Sequence, residues 1–450
     1  MKKITRRQFV KTAAVTTAAI AGAPYAKTAH SAGKLKLFFW NHWVPGALDI
    51  SKKIVADWGA KNNLEITIDA VTGSQMPAIA VGESRAKTGH DMIALRTWYG
   101  SILRDSLVDV DDVVSDITKA SGAFIDSAEY VCKFDGNWKA VPSPIGSHFY
   151  PMVTRVDYFK KYAGVDVKKI FPASDKRDSR LVNSWTWANF EKYAEKIHKG
   201  GHSFGAPISQ QTDSGNWISS IFHSFGSVLV DADGNITVNS DNTREVLEFM
   251  KKLTQWMPPD VYAWDNAGNN RWLISGKGGA IVNPPSAWAV AKRIYLKDKS
   301  KDAVTHVWHA DQPIGPRGHF RCYLPFIYGI WKFSKQQNAS KDLLRYLLSR
   351  EINYKLITAG QGYDVPALPS YWDHPVWKTI GPPKGGQYNY PVRGGEKIMV
   401  TGFPAPPPIA AQITVQQIHS IMVAKVAQAK EPVNEVISWA ESEMEGFMRG

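Results

Sequence analysis

Apolar positions come first in short runs and then in longer stretches with helical spacing. Residues 34–40 form an apolar run that ends in Asn41, His42 and Trp43. Residues 47–61 carry Ile50, Ile54, Val55 and Trp58 at the spacing of one helix face. Residues 64–71 alternate as a strand, 76–87 read as a helix, and 91–95 as a third strand; residues 103–113 add a helix and the loop after it. Strand, helix, strand, helix, strand predicts a parallel α/β lobe.

The pattern then breaks over residues 136–158. Asp135, Gly136 and Asn137 are a turn signal, and the short apolar run after them is stopped by Pro142 and Pro144. Neither proline can donate to a sheet ladder, so the chain is expected to leave its sheet there. A second strand-like run over 148–156 leads into a helical pattern from Asp157. This is the signature of a crossing between two packed units.

Beyond the crossing, residues 184–197 begin with a capping residue and continue as an amphipathic helix. Further helices are predicted over 216–226 and 242–256, a strand over 278–282, and a helix over 288–297. Gln312-Pro-Ile-Gly-Pro-Arg-Gly318 is a second Pro/Gly break, read as a return crossing. A strand over 326–331 and one helix over 340–358 follow. Residues 381–408, rich in Gly and Pro, read as a long surface loop or wrap, and helices over 409–425 and 432–448 close the chain.

At 450 residues the chain exceeds one hydrophobic core, so two domains are expected. Residues 1–33 stand apart from the fold. A basic start with paired arginines, Thr5-Arg-Arg-Gln-Phe-Val-Lys11, precedes a short, weakly apolar segment and the small residues Ala29-His-Ser-Ala-Gly33. That is a secretory signal of the twin-arginine type, and the segment is too short and polar to span a membrane. It holds Lys2, Lys3, Arg6, Arg7, Lys11 and Lys27 and no acid, so the formal charge falls from +13 to +7 without it. No Lys/Arg run is interleaved with aromatics, which argues against a nucleic-acid partner. Two cysteines, Cys132 and Cys322, exclude a cysteine-rich zinc or iron–sulfur framework; an oxidising compartment would permit a bridge between them, and two free buried thiols are expected ahead of it.

Several segments, in this order, resemble the extracellular solute-binding proteins of family 1, the periplasmic receptors of ABC importers that include the maltodextrin binders. The resemblance rests on Ala86-Lys-Thr-Gly-His-Asp-Met-Ile93, Leu107-Val-Asp-Val110, Asp135-Gly-Asn-Trp-Lys-Ala-Val-Pro142, Trp185-Thr-Trp-Ala-Asn-Phe190, Gly276-Lys-Gly-Gly-Ala280 and Ser286-Ala-Trp288. Asn189 stands where the family usually has an acid, and Tyr323-Leu-Pro-Phe326 where it often has paired glycines. The resemblance implies an α/β, two-lobe periplasmic-binding-protein fold of type II, with a hinge and an inter-lobe cleft. Residues 34–145 and 315–370 would form the N-terminal lobe, and 146–314 with 371–450 the C-terminal one. It also implies a monomer that takes a small solute, delivers it to permease subunits in the inner membrane, and meets the twin-arginine translocase during export. No catalytic residue, metal or cofactor is expected.

Strand ends and helix starts facing such a cleft would carry the ligand. Tryptophan numbers 17, and several fall at those places. A flat aromatic face suits the apolar face of a pyranose, and polar groups at its rim bond the hydroxyls. The candidate ligand-binding residues are Trp40, Asn41, Trp43, Arg96, Trp98, Tyr99, Asp213, Trp217, Trp288, Phe326 and Tyr363. For each aromatic the competing reading is core packing. An aromatic cage for a quaternary ammonium ligand would use the same rings, and Arg96 or Arg321 could clamp a carboxylate or phosphate. Asp231-Ala-Asp-Gly-Asn235 has its glycine too early for a calcium loop and reads as a β-turn. Ser275-Gly-Lys-Gly-Gly279 lacks the phosphate-loop spacing and reads as a tight strand entry. His306 and His309 have no third ligand nearby in sequence, which argues against zinc.

Three classes of function remain open on the sequence. The first is a receptor for a saccharide or polyol. The second is a periplasmic glycoside hydrolase, which needs two opposed carboxylates in a cleft. The third is an adhesion module with a large exposed apolar patch.

Overall fold

A computed structural model describes residues 33–173, 176–379 and 396–449. The export signal expected over residues 1–33 lies outside the described residues, save Gly33, which pairs with Leu64. Residues 381–395 of the expected long loop also lie outside them.

Three of the four sheets among the described residues organise the fold; the fourth is the hairpin of Lys133–Phe134 with Asn137–Trp138. In the first, of five strands, Leu64–Val71, Gly33–Trp40, Met92–Leu95, Ile327–Ile330 and Val141–Pro142 lie side by side in that order. The first three are parallel, as the strand–helix alternation requires, and Ile327–Ile330 runs antiparallel to both its neighbours. The second sheet orders Val307–Ala310, Met152–Arg155, Gly278–Val282 and Ser203–Gly205. Both sheets have strands buried on both faces, because helices cover them on either side.

The third sheet is small and joins the other two: Lys397–Met399, Phe320–Leu324 and His148–Phe149. Within residues 141–155 the chain visits all three sheets, and within 307–330 it returns through them in reverse order. Pro142 sits in the edge strand of the first sheet, where a missing N–H costs no ladder bond. Gly146 makes the turn between sheets. Its φ is +95°, and a Cβ there would lie 2.2 Å from Phe326 Cδ2. Its N–H donates to Asp364 Oδ1 at 2.6 Å.

The helices follow their predicted faces, with local differences. Trp187–Lys199 starts where Thr186 Oγ1 accepts the Asn189 N–H at 3.2 Å, an N-cap legible in the sequence. The single helix expected over 340–358 is two, Gln337–Leu348 and Arg350–Ala359. Ser349 between them has ψ of 145° and cannot continue a helix. The expected helix over 409–425 is likewise split, into Pro407–Val415 and Ile418–Ala427, by Gln417 at φ +58°. The described part of the expected surface loop is largely buried: Glu396, Met399, Val400, Thr401 and Ala405 are enclosed, because this stretch pairs with Phe320–Leu324, while Lys397 and Phe403 remain exposed. Asp231 and Asn235 close a turn by mutual hydrogen bonds, and Gly276 at φ +80° makes the tight entry to Gly278–Val282. Cys132 and Cys322 are buried and unbridged. Among the described residues no helix is long and apolar enough to cross a membrane.

Candidate functional site

Strand ends and helix starts from the two large sheets converge on one cleft. It has two compartments of about 240 Å³ each. Both are lined by Ser74, Arg96, Gln211, Thr212 and Leu324, so they meet at that constriction.

The first compartment has an aromatic wall. Trp40 ends the strand Gly33–Trp40 and meets Phe326 edge to face, with ring centroids 5.0 Å apart. Tyr363 packs 6.0 Å from Trp40 and 4.9 Å from His148. Trp43 stands at the rim, 47% exposed. Behind this wall Asp364 ties three chain segments together: it accepts the Gly146 N–H and His42 Nε2 at 3.0 Å. His42 Nδ1 accepts the Val44 N–H at 2.8 Å, so Nε2 is the nitrogen that donates.

The opposite wall is polar. Asp213, in the first turn of the helix Thr212–Ser224, accepts the Tyr150 hydroxyl at 3.0 Å and Asn269 Nδ2 at 3.1 Å. Asn269 also donates to Asn283 Oδ1 at 3.1 Å, and Asn283 Nδ2 donates to Ser286 Oγ at 3.0 Å. Burial pushes the Asp213 carboxyl up to about 6, against the pull of those two hydrogen bonds and of Arg96. Burial likewise holds the His148 imidazole down at about 4, although Gly146 O accepts from its Nδ1 at 2.6 Å.

The second compartment runs from Arg96 past Trp98 and Tyr99 to Asn216, Thr401, Thr414 and Gln417. Trp98 Nε1 donates to Thr401 O at 2.9 Å, which fixes the indole. Arg96 is largely enclosed, and burial lowers its pKa; the groups facing it are Tyr150, Asp213 and Tyr99.

Eight of the eleven residues singled out from the sequence line this cleft: Trp40, Trp43, Arg96, Trp98, Tyr99, Asp213, Phe326 and Tyr363. Three do not. Asn41 is exposed beside the cleft, because its N–H continues the ladder to Val71 O and its side chain alternates to the other face from Trp40. Trp217 is fully buried, with Nε1 donating to Pro207 O at 2.7 Å. Asn216 beside it still lines the second compartment, so the indole is lost to the cleft because it leaves the helix on the face turned into the lobe. Trp288 is displaced in the same way: Ser286 at the helix start lines the cleft, while Trp288 is buried with Lys292 Nζ 4.8 Å from its ring centre. The sequence reading missed Thr72, Ser74, His148, Tyr150, Gln211, Thr212, Asn266 and Asn283. His148 and Tyr150 lie in the crossing itself, and Gln211 and Thr212 in the polar run before Trp217, so position in the chain was the available signal. Thr401, Thr414 and Gln417 had no such signal.

Two α/β lobes joined by crossing strands around a lined cleft define the class of a two-lobe binding protein. The chain belongs to the bacterial extracellular solute-binding proteins, whose family model matches residues 53–381. Among curated proteins none matches it significantly by sequence. Solved structures share the fold at low identity. The maltose-bound MalE3 of T. maritima is 18% identical with a TM-score of 0.71, over 92% of this chain and 100% of that one. A sugar transporter from Arthrobacter chlorophenolicus with bound laminaribiose is 16% identical with a TM-score of 0.70, over 92% and 99%. An ABC transporter solute-binding protein from Agrobacterium radiobacter in complex with ribitol is 15% identical with a TM-score of 0.65, over 94% and 100%.

Proposed function

We propose that the protein is the periplasmic receptor of an ABC importer and binds a saccharide or polyol in the cleft. The supporting observation is the division of the cleft into facing walls. Rings of Trp40, Trp43, Phe326 and Tyr363 stand on one side, and Asp213, Asn266, Asn283 and Ser286 on the other. A sugar presents an apolar face and a belt of hydroxyls, and each wall suits one of them. The eight cleft-lining candidates are then ligand contacts, with Trp43 as the rim aromatic.

The receptor works by hinge motion about the crossing strands, and residues 34–145 with 315–370 close on residues 146–314 with the closing helices; residues 371–379, expected in the second lobe, move with the first, because the Tyr371 hydroxyl donates to Leu348 O and Asp373 pairs with Arg350. It acts as a monomer without a cofactor, reaches the periplasm through the twin-arginine translocase, and delivers its solute to permease subunits. As a receptor it is expected to release its solute unchanged; the acids lining the first compartment are Asp213 and Asp265, and Asp265 is paired with Arg271 at 2.7 Å.

A thermal-shift screen over neutral sugars and polyols tests the reading. At least one ligand is expected to raise the melting temperature in a concentration-dependent way and to be recovered unchanged. Trp43→Ala is expected to weaken that ligand by roughly tenfold, the loss of one aromatic contact, without lowering the melting temperature of the free protein. Appearance of a cleavage product sinks the receptor reading in favour of the hydrolase.

A further inference from the structure

The constriction where the two compartments meet has an unusual charge arrangement. Arg96 leaves the strand Met92–Leu95 and projects into the middle of the cleft. Among the described residues no side chain or carbonyl forms a hydrogen bond or ion pair with its guanidinium. The nearest acid, Asp213, spends its oxygens on Tyr150 and Asn269, and Asp265 is committed to Arg271. Its guanidinium therefore faces the cleft space and not a protein partner, and guanidinium is the group best shaped to receive the two oxygens of a carboxylate.

A second feature faces the same space. The helix Thr212–Ser224 starts at the constriction, and Gln211 before it supplies no side-chain cap. Among the described residues the N–H groups of Thr212 and Ser214 have no acceptor, so the first turn directs unsatisfied donors and the positive end of the helix dipole the same way. Asp213 limits what can sit there. Arg96 and Asp213 offset one another, so a single carboxylate leaves one net negative charge at the constriction, whereas a dianion such as a phosphate monoester leaves two.

We propose that the solute is a sugar acid: a saccharide or polyol with a single carboxylate, bound bidentately by Arg96 and capped by the first turn of Thr212–Ser224. This rests on the receptor reading above. The aromatic wall then takes the ring or carbon chain, and the constriction takes the acid group.

Calorimetry on the protein with D-glucuronate, D-galacturonate and D-gluconate, each against D-glucose, D-galactose and D-glucitol, tests it. At least one acid is expected to bind roughly tenfold or more tightly than its neutral counterpart, the contribution of a charge-assisted pair. Its affinity is expected to fall with added salt while any neutral ligand's does not. Arg96→Gln is expected to bring the acid down to its neutral counterpart. The salt series needs no variant and so stands even if Arg96→Gln fails to fold. If a neutral sugar binds and its acid is no tighter, or if Arg96→Gln weakens both alike, the inference is overturned and the receptor reading stands. If no sugar, polyol or acid binds, both fall.

Discussion

At the scale of single residues, the cleft is set by where each side chain sits on its element. Trp40 and Asn41 are neighbours, yet only Trp40 enters the cleft, because a strand sends successive side chains to opposite faces. Asn216 reaches it and Trp217 does not, because adjacent helix positions face different ways and the Trp217 indole turns inward to donate to Pro207 O. Composition places aromatics and acids in the right segments but carries no information on depth. Asp213 also sets a pH dependence. Its folded-state carboxyl is raised to about 6 from 3.8, so the folded protein holds the proton more tightly than the unfolded chain. The stability it contributes is fully present below about 4 and is lost as pH rises through about 6. Asp213→Asn removes that slope. The variant is expected to gain on the parent by about 1–3 kcal/mol between acid and neutral pH, read from urea midpoints at each pH. A constant difference across that range would show that Asp213 is not the group titrating.

At the scale of elements, the crossing depends on Gly146. Its positive φ and the Phe326 ring 2.2 Å from where a Cβ would lie leave no room for a side chain. Phe326 also lines the cleft, so a change at Gly146 moves the aromatic wall. Gly146→Ala is expected to destabilise the protein by about 1–3 kcal/mol and to weaken ligand binding, whereas Gly122→Ala, at a positive φ with open space around it, is expected to cost stability alone. Equal binding by both variants would remove the link between crossing and wall. The sequence marked this crossing by its prolines and turn signals, and marked the Thr186 cap by its residue type. It did not mark the breaks at Ser349 and Gln417. Helical spacing continues through both sites, and the breaks arise where the chain must turn to pack on different neighbours.

At the scale of the whole molecule, the large sheets are joined through a small one by short crossing strands, and the receptor reading predicts that they rotate about it. Ligand bridging both walls favours the closed arrangement by its differential contacts with that state. Small-angle scattering is expected to show a smaller radius of gyration with the ligand than without it, and tryptophan fluorescence to change through rim-exposed Trp43. An unchanged radius at saturating ligand would mean that closure is absent or already complete in the free protein.

The sequence by itself determined the elements, the parallel character of the first lobe, the existence of a crossing and the family resemblance, because these follow from local periodicity and backbone restrictions. It also placed most of the aromatic wall, since strand ends are legible. The tertiary structure decided which tryptophans became core and which became wall. It also brought Thr401, Thr414 and Gln417, far along the chain, to the side of Trp98, and left Arg96 facing open space with its nearest acid already engaged. Depth, distant contacts and the pairing of charges depend on how the lobes pack, and no local pattern encodes that.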